Sequence, residues 1–123
     1  MNYFDDPTLQ AFHAEEYAAE QAHYERMDAM LRVLYNDLPG AVFNTLPYGA
    51  CPQQAAGTLA GQNFYFRFRS NTARFELGTT FVYRYNVTSE PLAGLLSPEY
   101  FREIFLSMLY EAIGRQAAPD VLG

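Results

Sequence analysis

The chain lacks tryptophan and lysine, contains one cysteine, and has no run near the ~18 continuous apolar residues typical of a membrane-spanning helix. Cys51 alone cannot form an internal disulfide, so packing must hold the fold and a reducing compartment is expected. The sequence also begins without the basic segment and apolar run of a secretory signal. These absences predict a soluble, cytoplasmic protein with no membrane association.

Signatures of enzymes are also missing. The sequence has no Gly-rich phosphate loop, no G-x-S-x-G elbow, no H-E-x-x-H and no paired CxxC. Cys51 has no predicted base beside it that would activate its thiol, so we interpret it as a small buried hydrophobe rather than a nucleophile. We therefore predict no catalytic residue, no bound metal and no cofactor.

Apolar and aromatic side chains are abundant. Half of the residues are hydrophobic and 16% are aromatic, which excludes the composition of a disordered chain. A length of 123 residues allows one core, because domains cluster near ~100 to 150 residues. We expect a single domain over residues 1–123.

Charge is distributed unevenly along the chain, whose net charge is −6. Residues 1–38 hold eight acids and two arginines, residues 39–89 one acid and four arginines, and residues 90–123 five acids and two arginines. These segments carry −6, +3 and −3. A negative protein repels nucleic acid but attracts a basic protein. All eight basic residues are Arg, which favours a GC-rich, bacterial or phage source.

Helical signals lie at the two ends. Asp6-Pro7 is a good helix start and Pro39-Gly40 a good stop, so a long helix is predicted over residues 7–38. Ser97-Pro98 opens a second helix that Gly114 is expected to end, over residues 98–114. The tail, residues 116–123, is expected to fray.

Between the helices the pattern changes to strands. Residues 39–52 contain prolines and glycines without charge and are interpreted as an ordered connection. A sheet is predicted over residues 53–87, with strands at 53–59, 64–69, 72–77 and 81–87. The fold class is therefore α+β: a long N-terminal helix, a four-stranded antiparallel meander and a C-terminal helix packed on one sheet face.

Period-two alternation assigns side chains to the two sheet faces. The core face is predicted to contain Phe64, Phe66, Phe68, Phe75, Leu77, Phe81, Tyr83, Tyr85 and Val87. Glu76 is placed on the opposite face with the residues of a candidate ligand site, Tyr65, Arg67, Arg69, Arg74 and Arg84. Such a face suits a small anionic ligand or a nucleic acid, but arginines that are solvated or paired with acids of the same domain explain it better.

The first helix has a polar stripe on its predicted core side. His13, Glu16, Glu20 and His23 fall within about 80° of one another, because successive helical residues turn by 100°. One interpretation is solvation, since a 32-residue helix is ~48 Å long and a domain of this size has a radius of gyration near ~14 Å. A second is a docking surface for another chain. A third is metal binding, because Glu20-x-x-His23 has the spacing seen in two-metal bundles.

The favoured hypothesis is a non-catalytic macromolecular interaction module. It would be a small acidic bacterial or phage protein that binds, and inhibits or chaperones, a basic or nucleic-acid-binding protein target. The predicted partner-binding residues are His13, Glu15, Glu16, Glu20 and His23. The long helix could also join two copies into a homo-oligomer. Binding of an anion or nucleic acid by the arginine face, and of a metal by the helix stripe, are the alternatives.

Overall fold

The computed structural model describes residues 7–49, 52–89 and 95–117. Two helices flank five strands in chain order: α1 (Pro7–Asp37), β1 (Val42–Thr45), β2 (Gln53–Leu59), β3 (Gln62–Arg69), β4 (Thr72–Leu77), β5 (Thr80–Arg84) and α2 (Pro98–Ala117). The strands form one antiparallel sheet in the order β1-β2-β3-β4-β5. The α+β class and the meander are confirmed.

The sheet has one strand more than predicted. β1 lies within residues 39–52, which we had interpreted as a connection, and it pairs with β2 at the sheet edge. Its sequence Val-Phe-Asn-Thr is short and shows no apolar alternation, and only Phe43 packs against the core. A register shift between Phe43 and Thr45 further shortens the regular pairing. The prolines and glycines on either side of β1 therefore led to the prediction of a connection instead of a strand.

One hydrophobic core fills the space between the sheet and both helices. Among the residues of α1 whose side chains are described, the first buried one is Met27. The buried core consists of Met27, Met30, Leu31, Leu34, Leu38, Ala55, Leu59, Phe64, Phe66, Phe68, Ala73, Phe75, Leu77, Val82, Leu96, Phe101, Phe105, Met108, Leu109 and Ala112. Burial of each Phe stabilises the fold by about 1.5–3 kcal/mol. The predicted core placement of residues 64–77 is confirmed.

The predicted register of β5 is wrong by one residue. Val82 is fully buried, whereas Phe81 and Tyr83 are 43% and 45% exposed and Tyr85 is exposed beyond the strand end. The two-residue turn Gly78-Thr79 places Leu77 opposite Thr80, and this pairing sets every later residue of β5. Aromatic residues alternate on the outer side of β5, so aromatic character alone indicated the wrong face. Val87 does pack partly against the core.

α2 is longer than predicted. It continues past Gly114 to Ala117, so Gly114 does not end the helix. Gln116, assigned to a frayed tail, donates through Nε2 to the carbonyl of Leu77 at 3.0 Å and to the side chain of Gln62 at 2.9 Å. These bonds attach the last turn of α2 to the sheet. Residues 118–123 lie outside the described part of the chain.

Two glycines in regular elements should respond oppositely to alanine. A Cβ at Gly57 would lie 1.7 Å from the backbone oxygen of Val42, whereas a Cβ at Gly114 would meet nothing within 4 Å. Gly57→Ala should lower the free energy of unfolding by more than about 2 kcal/mol by displacing β1. Gly114→Ala should raise it by about 0.5–1 kcal/mol, because alanine favours the helix. Urea melts measure both, and equal values would contradict the described β1 pairing.

Candidate functional site

The N-terminal part of α1 extends beyond the core. At 1.5 Å per residue the 31-residue helix is roughly 46 Å long. Met27, the first residue of α1 that is described as buried, lies twenty residues from its start. From Ala14 to Arg26 every described side chain is exposed except that of His23, which is half-buried. We call residues 7–26 the projecting segment. Its described side chains make almost no contribution to the core.

The projecting segment is acidic and carries exposed aromatic rings. Its four glutamates and Arg26 give a net charge of −3. Tyr17 is 69% exposed, and Tyr17, Glu20 and Tyr24 lie at i, i+3 and i+7, on one side of the helix. The segment therefore presents carboxylates beside tyrosine rings along a stripe roughly 10 Å long.

The predicted partner-binding residues are only partly described. Glu15 and Glu20 are exposed, whereas the side chains of His13 and Glu16 lie outside the described part. The ring of His23 lies 5.9 Å from that of Tyr24, and its Nε2 is shielded from solvent without a hydrogen-bond partner among the described residues. The described part of the chain contains no group of three or more residues suited to binding a metal ion.

Polar contacts fasten α1 to the domain from Arg26 onward. Arg26 pairs with Glu99 at the start of α2 at 2.7 Å, and Asp37 pairs with Arg102 at 2.7 Å. The backbone amide of Glu99 and the Arg26 guanidinium hold the pKa of Glu99 below its usual value. Such exposed ion pairs are screened by solvent and stabilise the fold weakly. A groove of about 370 Å³, with Ala29, Met30 and Val33 among its lining residues, separates α1 from α2 here.

The outer sheet face carries the arginines. Arg67 of β3 lies directly opposite Arg74 of β4, and Arg69 follows two residues along β3. Tyr65 lies on the same face, two residues before Arg67 on β3 and opposite Glu76. Its hydroxyl donates to the side chain of Gln54 at 3.0 Å. A depression of about 290 Å³, the arginine depression, is lined by Arg67, Arg69, Ser70, Thr72, Arg74 and Tyr83.

Arg84 does not belong to this face, and its predicted placement is wrong. The register of β5 turns it towards α2, where it pairs with Glu111 at 2.9 Å. Tyr83 occupies the outer face instead, opposite Arg74. One sequence signal could have placed Arg84 and Tyr83 on the correct faces. It is the two-residue turn Gly78-Thr79, which fixes the register of β5.

Comparison of the chain with protein families, curated proteins and solved structures gives no match. Within the described residues, no helix is both long and apolar enough to cross a membrane. Cys51 lies outside the described residues. The two candidate binding surfaces are the projecting segment, which is exposed and acidic, and the arginine depression, which is cationic.

The contact that anchors α1 to the β1–β2 connection should depend on pH. The hydroxyl of Tyr48 donates to the carboxylate of Asp28, and this bond, together with burial, raises the pKa of Tyr48 to about 12. The folded pKa lies above the unfolded value near ~10, so the stabilisation is complete below about pH 10 and is lost as pH rises through 12. Tyr48→Phe should cost about 1 kcal/mol at pH 8.

Urea melts of both proteins between pH 8 and 11.5 measure this effect. The other tyrosines ionise in both proteins, so the difference between the two curves isolates Tyr48. That difference should shrink at the alkaline end. A difference that stays constant with pH would contradict a bond from Tyr48 to a charged Asp28.

Proposed function

We propose that the chain is a non-catalytic interaction module that binds a protein partner through the projecting segment of α1. The observation that carries the proposal is the exposure of all described side chains from Ala14 to Arg26 except that of His23. Most helical stability in proteins comes from packing, and the projecting segment continues a helix that packs in the core from Met27 onward. A partner would meet a helix that is already formed, so little ordering entropy opposes binding.

The chemistry of the segment favours a basic partner. Its charge of −3, on a chain of −6, attracts positive surfaces and speeds their encounter. Exposed Tyr17 supplies a large ring with few rotatable bonds, a side chain often found at the centre of interfaces. A partner that normally binds nucleic acid has a positively charged surface, as this segment requires. Covering that surface would inhibit or chaperone the target, which is the role we propose in a bacterium or phage.

Charge reversal tests the proposed surface. The triple variant Glu15→Arg, Glu16→Arg and Glu20→Arg should leave the free energy of unfolding within about 0.5 kcal/mol per site, because surface substitutions rarely do more. Proteins captured from lysate of the producing cells by the unmodified chain should be absent with the triple variant. With the purified partner, the variant should associate several-fold more slowly and with a weaker dependence on salt.

Matched controls separate this surface from general charge and stickiness. Glu103 is exposed on α2, so Glu103→Arg makes the same change in net charge as Glu20→Arg outside the projecting segment. Tyr110, 58% exposed on α2, provides the same control for Tyr17→Ala. The variants in α1 should weaken binding and those in α2 should not. Unchanged binding by the triple variant and by Tyr17→Ala would overturn the proposal.

Light scattering of the purified chain identifies the partner class. A mass that doubles with concentration, and returns to that of one chain in the triple variant, would mean that the segment joins two copies. A constant monomer mass together with a captured protein supports the heterologous partner.

A further inference from the structure

The arginine depression concentrates positive charge that the described part of the chain does not neutralise. Side chains directly opposite each other on antiparallel strands have Cβ atoms about 5 Å apart, so Arg67 and Arg74 repel one another. Arg69 stands about 7 Å further along β3 on the same face. Glu76 pairs with Arg74, but neither Arg67 nor Arg69 has an ion-pair partner among the described residues. At least two positive charges remain uncompensated.

Arg74 is held in place before any ligand arrives. Its guanidinium contacts the Glu76 carboxylate and lies 5.4 Å from the centre of the Phe81 ring. Its Nε is shielded from solvent and has no hydrogen-bond partner among the described residues. A buried donor without a partner is costly, which favours an acceptor in the depression. A fixed guanidinium also loses less conformational freedom when it binds an anion.

The walls of the depression are equally well anchored. Ser70 and Asn71 form the β3–β4 turn with φ angles of 51° and 61°. Asn71 holds this turn through its side chain, which bonds to the backbone amide of Thr88 at 2.7 Å and to its carbonyl at 2.8 Å. Ser70 and Thr72, which each carry a hydroxyl, are among the residues that line the depression beside the arginines. These donors and cations match the requirements of a phosphate group.

One side of the depression is aromatic. Tyr83 is 45% exposed, and its ring lies nearly parallel to that of Tyr85, with an angle of 7° and 6.3 Å between centroids. An exposed tyrosine face stacks readily on a nucleobase. The volume of about 290 Å³ lies just below the range for drug-sized ligands, about 300–1,000 Å³, so the depression suits a small ligand. A long polyanion would also meet the acidic remainder of the chain.

We propose that the arginine depression binds the phosphate of a mononucleotide-sized ligand, with Tyr83 against its base. Arg67 and Arg69 donate to the phosphate oxygens, and Arg74 completes the site from β4. This site lies on the sheet and is independent of the interaction proposed for α1.

Calorimetric titration and thermal melts with inorganic phosphate and adenosine monophosphate test the site, against chloride at equal ionic strength. Both phosphates should raise the melting temperature. Arg67→Gln/Arg69→Gln should weaken binding at least tenfold, because each guanidinium would donate charge-assisted hydrogen bonds to the phosphate. Without ligand, the same variant should melt no lower than the unmodified chain, because it removes repulsion.

Two variants control the assignment. Arg32→Gln removes an exposed arginine of α1 and should leave phosphate binding unchanged. Tyr83→Ala should remove the several-fold preference for the nucleotide over inorganic phosphate, because it removes the ring on which the base would stack. Equal affinities of the unmodified chain for both ligands would overturn the role of Tyr83.

Other outcomes overturn the site itself. One is a rise in melting temperature with phosphate no larger than that with chloride. The other is phosphate binding that persists in the double arginine variant. Much tighter binding of a single-stranded oligonucleotide than of the mononucleotide would replace the small ligand with nucleic acid.

Discussion

The ring of Phe105 lies between α2 and the sheet, with its centroid 5.3 Å from that of Phe75, 5.5 Å from Phe64 and 6.1 Å from Phe66. Phe43 of the edge strand and Phe101 of α2 complete this cluster. Aromatic pairs at these distances add about 0.5–1.5 kcal/mol beyond their burial. Because all these rings meet on one face of the sheet, both helices must cover that face. The opposite face then has no helix above it in the described part of the chain.

The strongest sequence patterns correspond to the residues with the most buried surface. The Phe alternation of β3 and the i, i+3, i+4 spacing from Met27 to Leu38 were predictable, because each pattern is repeated over several turns or pairs. β1 was not, since a short edge strand needs only one core contact. In β5 the aromatic residues lie outside and the buried residue is Val82, so propensity indicated the wrong face.

The sequence predicted some residues of the arginine depression correctly and others wrongly. Arg67, Arg69 and Arg74 could be assigned to one face because they alternate with Phe and Ala residues of the core. Tyr83 lies on the outer face and Arg84 on the core side, the reverse of the prediction. A one-residue change of register moves every side chain of a strand to the other face. The concavity around the arginines depends on the β3–β4 turn and its anchor at Thr88, a contact between distant residues that no local pattern encodes.

The four sheet arginines differ in what lies above them. Arg84 faces α2, and the carboxylate of Glu111 neutralises it at 2.9 Å. Arg74 has a neighbour on its own strand, Glu76. Arg67 and Arg69 face outward, and neither has an ion-pair partner in the described part of the chain. None of the acids described in α1 pairs with them, because α1 packs on the opposite face of the sheet. The one-sided core therefore accounts for the arginine depression: no helix covers the outer face, and two of its arginines have no acidic partner among the described residues.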